Sequence, residues 1–345
     1  MSLQDGDARK TVVVTGASAG VGRATAVAFA RRGYDVGLIA RGRDGLDGAR
    51  REVEATGQRA LVLPLDIADA TAVFSAAERI ASEWGHIDVW VNDAMATVFA
   101  PFAEIEPEEF RRVTEVTYLG QVFGTMAALK HMRQRGTGTI VQIGSALSYR
   151  AIPLQSAYCG AKFAIRGFTD ALRSELLHEN SRIKITMVQL PAVNTPQFDW
   201  ARSRLPKRLQ PLPPIYQPEA VADEIVQAAL KPPRELWIGL SALKAIVGTI
   251  LLPRVGDRIL ARQGYAGQMT AQPARTARPD NLFEPVAGDH GTRGRFGRQA
   301  RNRVLTIDPV RLRAGIAVTL LGIVVGAAIS GRFPLKLQRT RLRRD

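Results

Sequence analysis

Tyr158 and Lys162 lie four residues apart in a stretch with helical apolar periodicity, so their side chains leave one helix face a turn apart. A phenol with an unperturbed pKa of about 10 is a poor base at neutral pH. A nearby ammonium group lowers that pKa, which allows the phenol to give or take a proton near pH 7. Ser145 lies 13 residues upstream, where a predicted strand ends, and its hydroxyl can hydrogen-bond the same oxygen. Together these residues predict proton transfer at a carbonyl or alcohol oxygen.

A glycine-rich turn, TGASAGVG, spans residues 15–22 and directly follows the first apolar run. Its glycines allow a tight turn and a close approach of the backbone to a pyrophosphate. The turn opens a predicted helix, whose free N–H groups and positive dipole end favour phosphate. This placement between strand and helix predicts a dinucleotide site. The residues of the turn that we expect to contact the cofactor are Gly16, Ser18, Gly20, Val21 and Gly22.

The end of the second apolar run bears on cofactor choice. An NAD site would place an acid there for the ribose 2′-hydroxyl, but the residues are Ala40 and Arg41. The guanidinium groups of Arg41 and Arg43 suit a 2′-phosphate, so the sequence favours NADP(H). In the alternative interpretation, Arg41 only solvates a strand end. Asp66 closes the third run, where it would either accept a hydrogen bond from the adenine amine or begin the next segment.

The elements that must position these residues alternate along the first 230 residues. Short β-branched runs bounded by turns alternate with Ala-rich amphipathic stretches, which predicts an α/β fold with a doubly wound parallel sheet. The predicted strands are 11–15, 36–40, 60–65, 87–92, 139–144, 183–190 and 235–239. The predicted helices are 20–32, 44–56, 69–84, 107–135, 156–179 and 219–230.

With these motifs, the chain resembles the single-domain short-chain dehydrogenases/reductases over roughly residues 9–240. The resemblance implies a Rossmann fold, a homo-oligomer built through the two long helices, and hydride exchange between a nicotinamide cofactor and a carbonyl or alcohol. It implies catalytic roles for Ser145, Tyr158 and Lys162, with Tyr158 as general acid/base. Beside the glycine turn and Arg41, the cofactor contacts that it implies are Asp66, Ile67, Asn92, Tyr158, Lys162 and Thr195.

Three positions depart from the family pattern. Thr117 replaces the usual asparagine of the helix motif, which puts the family's water-mediated proton relay in doubt. The NNAG motif reads NDAM at residues 92–95, so we expect Met95 to narrow the site. The usual PG pair reads Pro191–Ala192. None of these changes removes a reacting group. The alternative function is a catalytically inactive nucleotide-binding protein that is localised by its basic and apolar tail.

The net charge of +15 lies almost entirely in the last third of the chain. Residues 231–345 contain 21 Lys and Arg against 7 Asp and Glu, whereas residues 1–230 are nearly balanced. Nucleic acid is a disfavoured partner, because the basic stretch 293–303 has one aromatic residue and no folded reader module. The single Cys159 excludes an internal disulfide, and the four scattered histidines lack metal-ligand spacing.

Composition divides the chain into four segments. We predict a catalytic domain over residues 1–262, a basic flexible linker over 263–313, an apolar helix over 314–331 and a basic tail over 332–345. The uncharged 314–331 segment suits a membrane-spanning or membrane-embedded helix, and a soluble helix docked on the body is the alternative. The polar N-terminus has no signal core, which favours a cytoplasmic catalytic domain with a C-terminal membrane anchor.

Substrate preference rests on residues 195–216, a proline-rich segment with Phe198, Trp200 and several leucines. As a lid over the site, this segment would suit a lipophilic carbonyl compound. If these residues only pack the loop onto the domain, the segment gives no information about the substrate.

Overall fold

The computed structural model describes residues 9–251, 253–275, 278–312, 314 and 319. Its main sheet contains eight strands within these ranges. They are β1 (Lys10–Thr15), β2 (Tyr34–Ala40), β3 (Ala60–Pro64), β4 (Val89–Asn92), β5 (Gly138–Ser145), β6 (Ile183–Leu190), β7 (Glu235–Ile238) and β8 (Thr306–Ile307). The strand order is β8-β7-β6-β5-β4-β1-β2-β3. Every neighbouring pair is parallel except β7 and β8, which run antiparallel.

Helices cover both faces of this sheet, as its buried strands require. They are α1 (Gly20–Ala30), α2 (Arg43–Glu54), α3 (Ala70–Trp84), α4 (Pro107–Thr114), α5 (Gly120–Arg135), α6 (Ser156–His178), α7 (Pro218–Leu230), α8 (Leu240–Leu251) and α9 (Pro253–Ile259). A π-helical turn, Glu115–Leu119, joins α4 to α5. One core packs α1, α2 and α7 on one face, and a second packs α3, α5 and α6 on the other. The predicted doubly wound Rossmann fold is confirmed.

The C-terminal part of the body differs from the prediction. The described residues of the predicted flexible linker, 263–275 and 278–312, include strands that pair with the body. Met269–Pro273 pairs with Lys207–Leu209, and Ala300–Arg301 pairs with Ile215–Tyr216. This correction has a simple cause: glycine, proline and arginine give no apolar periodicity, yet their backbone groups still pair with neighbouring strands.

The compact body therefore extends to Ile307 rather than to residue 262. A second unit comprises Asp308–Asp345, and in it the Asp308 carboxylate accepts hydrogen bonds from the amides of Val310 and Arg311. Apart from Ala314 and Thr319, the predicted apolar helix 314–331 and the basic tail 332–345 lie outside the described residues. Within the described ranges, no helix has both the length and the apolar character needed to cross a membrane.

Candidate active site

A cavity of about 690 Å³ opens at the carboxyl ends of the parallel strands. Parallel α/β sheets bind ligands in this position, where loops from several strands converge. Of the thirteen site residues predicted from the sequence, eleven line the cavity and two, Gly22 and Asn92, do not. The eleven are Gly16, Ser18, Gly20, Val21, Arg41, Asp66, Ile67, Ser145, Tyr158, Lys162 and Thr195.

The glycine turn has the geometry that a close-approaching phosphate requires. Gly16 and Gly20 adopt φ angles of +73° and +58°, which side-chain-bearing residues rarely adopt. Gly22 does not line the cavity, but a Cβ there would lie 2.3 Å from the Gly16 carbonyl oxygen. The residue before α1, Ala19, provides no side-chain cap for the helix N-terminus. This cradle fits the pyrophosphate of a dinucleotide cofactor.

Ser145, Tyr158 and Lys162 meet on one wall of the cavity. Ser145 ends β5, and its hydroxyl accepts a hydrogen bond from the Leu147 amide at 3.1 Å. Tyr158 and Lys162 lie in α6, and the Lys162 ammonium is 5.5 Å from the centre of the Tyr158 ring. Lys162 is fully buried and donates to the Ile143 carbonyl oxygen at 2.6 Å. The structure thus assembles the three predicted catalytic side chains.

The cavity holds Tyr158 as a neutral phenol. Burial raises the pKa of Tyr158 above its ordinary value, and a hydrogen bond with Ser145 opposes this shift. The negative charge of Asp93 raises the pKa of Tyr158 further. The lowering of this pKa that the sequence predicts is not found, because burial dominates. Without a further positive charge, Tyr158 can donate a proton at neutral pH but can hardly accept one.

Asp93 is a site residue that the sequence analysis missed. It lines the cavity, where burial raises the pKa of its carboxyl to about 7 and the charge of Lys162 opposes that rise. Burial in turn lowers the pKa of Lys162 to about 8, and Asp93 opposes that shift. Each charge therefore favours the charged form of the other group. The available signal was the acid in NDAM, at a position that is asparagine in the family motif.

Replacing Asp93 with asparagine should narrow the pH range of carbonyl reduction. The Asp93 carboxylate favours the charged ammonium, so its loss should lower the pKa of Lys162 further below about 8. The alkaline limb of the kcat/KM profile should then move to lower pH, by on the order of one unit. Measurement from pH 6 to 10 checks this, with Asp88→Asn as a control outside the cavity. An unchanged alkaline limb would show that Asp93 does not influence the pKa that limits the reaction at high pH.

Asn92 was predicted to contact the cofactor, and the structure places it elsewhere. Its side chain is fully buried behind the cavity wall, where it accepts from the Trp90 indole at 2.8 Å. Its amide donates to Thr125 and Gln142, each at 3.1 Å. These three bonds use its polar atoms, so Asn92 joins β4 to its neighbours instead of binding a ligand.

Thr117 lies in the π-helical turn and is fully buried. Its hydroxyl donates to the Ala96 carbonyl oxygen at 2.8 Å and accepts from the Ala96 amide at 3.0 Å. Because the single O–H is committed to the backbone, Thr117 fastens the chain after β4 and has no proton left to donate to a relay water.

Residues 278–296, here called the strap, lie along the cofactor end of the cavity. Arg41 donates to the backbone carbonyls of Phe283, at 2.5 Å, and of Asn281. The Gly20 amide donates to the Gly291 carbonyl at 3.2 Å. The structure therefore brings Arg41 to the predicted place but pairs its terminal nitrogens with the strap. The Asp66 carboxylate pairs with Arg112 and accepts from the Ala68 amide.

The opposite end of the cavity is mostly apolar, although Arg150, Gln155 and Lys244 also line the cavity. The predicted lid forms a short helix, Gln197–Trp200, and Phe198 from this helix packs between Phe99 and Phe296. The helices α8 and α9 add a further wall. Apolar residues that line this end are Met95, Phe99, Leu147, Ile152, Phe198, Leu212, Val255 and Ile259.

Comparison with known proteins agrees with this geometry. Residues 10–205 match the family described as short chain dehydrogenase. An uncharacterized oxidoreductase, YxnA of Bacillus subtilis, is 32% identical over 92% of this chain and 90% of its own length. The fatty acyl-CoA reductase of Acinetobacter baylyi is 30% identical over 70% of this chain and 80% of its own.

Two further relatives carry informative names. The 3-dehydrosphinganine reductase of Danio rerio is 32% identical over 64% of this chain and 68% of its own length. Among solved structures, an alcohol dehydrogenase from Thermococcus sibiricus complexed with 5-hydroxy-NADP is 29% identical, with a TM-score of 0.56. That match covers 66% of this chain and 95% of the archaeal one.

Proposed function

The chain belongs to the short-chain dehydrogenase family of oxidoreductases, and from that premise we propose that it transfers a hydride between NADP(H) and a lipophilic carbonyl or alcohol. The observation that carries this proposal is the meeting of Ser145, Tyr158 and Lys162 in one cavity with the glycine turn. The family uses nicotinamide dinucleotides, and its members act on small molecules.

The residues divide the chemistry as follows. When bound, the nicotinamide ring supplies or accepts the hydride. Tyr158 gives its proton to the carbonyl oxygen during reduction, or takes one from the alcohol during oxidation. The Ser145 hydroxyl hydrogen-bonds that oxygen and holds it in line with the phenol. The Lys162 ammonium, fixed by the Ile143 carbonyl, stabilises the phenolate left after proton transfer.

The groove fits the remainder of a dinucleotide. The Gly16–Gly22 cradle at the N-terminus of α1 would hold the pyrophosphate, with the Gly20 amide exchanging its bond to the Gly291 carbonyl for one to phosphate. Asp66 and Ile67 would line the place for adenine, and Arg41 at the end of β2 would bind a 2′-phosphate in exchange for the strap carbonyls that it contacts in the structure. The preference for NADP(H) rests on this guanidinium and on the absence of an acid at Ala40.

Replacing Arg41 with alanine should weaken NADPH binding much more than NADH binding. The guanidinium makes charge-assisted hydrogen bonds to a phosphate, so its loss should raise the Kd of NADPH by about tenfold to a hundredfold. Fluorescence titration with both cofactors measures the difference. Arg43→Ala is the matched control, because Arg43 is exposed and pairs with Asp47 at 3.0 Å. Equal losses for the two cofactors would contradict the 2′-phosphate assignment.

The lipophilic substrate is supported by the apolar end of the cavity and by the names of two relatives, a fatty acyl-CoA reductase and a 3-dehydrosphinganine reductase. A series of aldehydes and ketones of increasing chain length, assayed by NADPH absorbance, tests the function. We expect kcat/KM to rise with chain length. NADPH binding without turnover on any of these compounds would instead favour the catalytically inactive nucleotide-binding protein.

We also infer a homo-oligomer that uses the outer faces of α5 and α6. Two large apolar side chains on these helices, Met126 and Phe163, are 53% and 43% exposed.

The localisation inferred from the sequence is a cytoplasmic catalytic domain whose 314–345 segment contacts a membrane. Cell fractionation tests it: a membrane association that resists high salt supports insertion, and loss at high salt indicates charge attraction alone.

A further inference from the structure

The strap is fastened to the body on both sides of the cofactor groove. At its first end, Asp280 pairs with Arg202 at 2.9 Å, and the Asn281 amide donates to the Trp200 carbonyl at 3.0 Å. Leu282 is fully buried in the core on that side. These contacts fix the point where the strap reaches the groove.

Its second end is held by the first βα unit. Asp289 pairs with Arg23, which has a nearly buried side chain, and with Arg51 at 3.5 Å. The Gly288 amide donates to the Asp44 carboxylate at 2.9 Å. The Gly291 carbonyl accepts from Gly20, the first residue of α1. The second anchor is therefore part of the same turn that cradles the pyrophosphate.

Between these anchors the strap faces the cavity. Asn281, Pro285, Val286, Gly288 and His290 all line it. The His290 ring packs edge-on against Trp200, with ring centres 4.6 Å apart. The strap thus forms part of the cavity wall, and its carbonyl oxygens contact two residues of the groove, Gly20 and Arg41.

We propose that the strap is the outer wall of the cofactor site and retains the dinucleotide against the β1–α1 turn, so that release requires one anchor to open. This rests on the proposed function, since it presumes a nicotinamide dinucleotide in the groove. The strap also positions Arg41, because carbonyl oxygens of Asn281 and Phe283 orient its guanidinium beside the adenine side. The family match ends at residue 205, so the strap lies beyond the matched segment.

Opening either anchor should speed the release of NADPH. Asp289→Asn weakens the pairs with Arg23 and Arg51, and Asp280→Asn weakens the pair with Arg202. Stopped-flow displacement of NADPH should show a dissociation rate raised by about fivefold to tenfold in each variant. Glu78→Gln is the matched control, because it removes an exposed pair with Lys130 away from the cavity.

A second measurement on the unaltered protein covers the case in which a variant fails to fold. Saturating NADPH should slow hydrogen exchange of the strap amides, including those of Gly288 and Gly291. Where an anchor variant folds, faster release supports the proposal, and unchanged release or tighter NADPH binding overturns it. Where neither variant folds, slower exchange of the strap amides under NADPH supports it, and unchanged exchange overturns it. If the unaltered protein binds no dinucleotide at all, that result contradicts the proposed function itself and not only the role of the strap.

Discussion

Phenylalanine at position 158 should abolish turnover while leaving NADPH binding nearly unchanged. The substitution removes one hydroxyl from a partly buried ring, so the cavity keeps its shape but loses its proton donor. General acid/base catalysis typically contributes about 10²–10⁴ in rate, and we expect a loss in that range. Initial rates of NADPH oxidation measure the loss, and fluorescence titration measures the binding.

The matched control for this change is Tyr265→Phe, which removes a hydroxyl from a 44% exposed ring that does not line the cavity. That variant should keep its full rate. Turnover that persists in Tyr158→Phe would show that another group moves the proton. Because binding is measured separately, a loss of cofactor affinity cannot be mistaken for a loss of chemistry.

Replacing Lys162 with methionine should lower both turnover and stability. Methionine keeps much of the buried volume but removes the ammonium that stabilises the Tyr158 phenolate, for an expected loss of about 10²-fold or more in kcat. It also leaves Asp93 buried without its opposite charge, so the pKa of Asp93 should rise above about 7. The Ile143 carbonyl loses one of its two donors and keeps the Gln121 amide, which should lower the thermal midpoint as well.

Steady-state rates and thermal melting check both effects. Lys130→Met serves as the control, because its ammonium is half-exposed and makes only a surface pair with Glu78. Exposed pairs of this kind contribute at most about 1 kcal/mol, so this variant should resemble the unaltered protein. A Lys162→Met protein that keeps more than half of its kcat would contradict the role given to the ammonium.

The features that can be predicted from the sequence are those that depend on the types of residues close together in the chain. β-Branched runs place the strands of the sheet, and the four-residue spacing of Tyr158 and Lys162 places both on one face of α6. Each depends on residues that are neighbours in the chain. The main-sheet strands and the helices of residues 10–238 therefore follow the predicted order, with bounds shifted by a few residues. The predicted helix 107–135 is divided by the π-helical turn Glu115–Leu119, and short strands outside the main sheet were not predicted.

The features that escaped the sequence depend on what the fold brings together. Asn92 donates to Thr125 and to Gln142, which lie 33 and 50 positions further along the chain. Its packing role therefore becomes visible only in three dimensions. Burial raises the pKa of Asp93, and the spacing of residues along the sequence does not reveal burial. The strap binds Arg41 through backbone carbonyl oxygens. Every residue has a backbone carbonyl, so this contact cannot be predicted from the types of residue in the strap.

The strap also has a consequence for the order in which the protein is completed. Arg23 and Asp289 are 266 positions apart, and Arg41 and Asn281 are 240 apart. A chain grows on the ribosome from its N-terminus, at about 5–20 residues per second. The first βα unit is therefore synthesised early, yet its turn and its strand end receive their last partners only when most of the chain exists. Closing such long loops is slow, so the cofactor groove should be among the last parts of the body to mature.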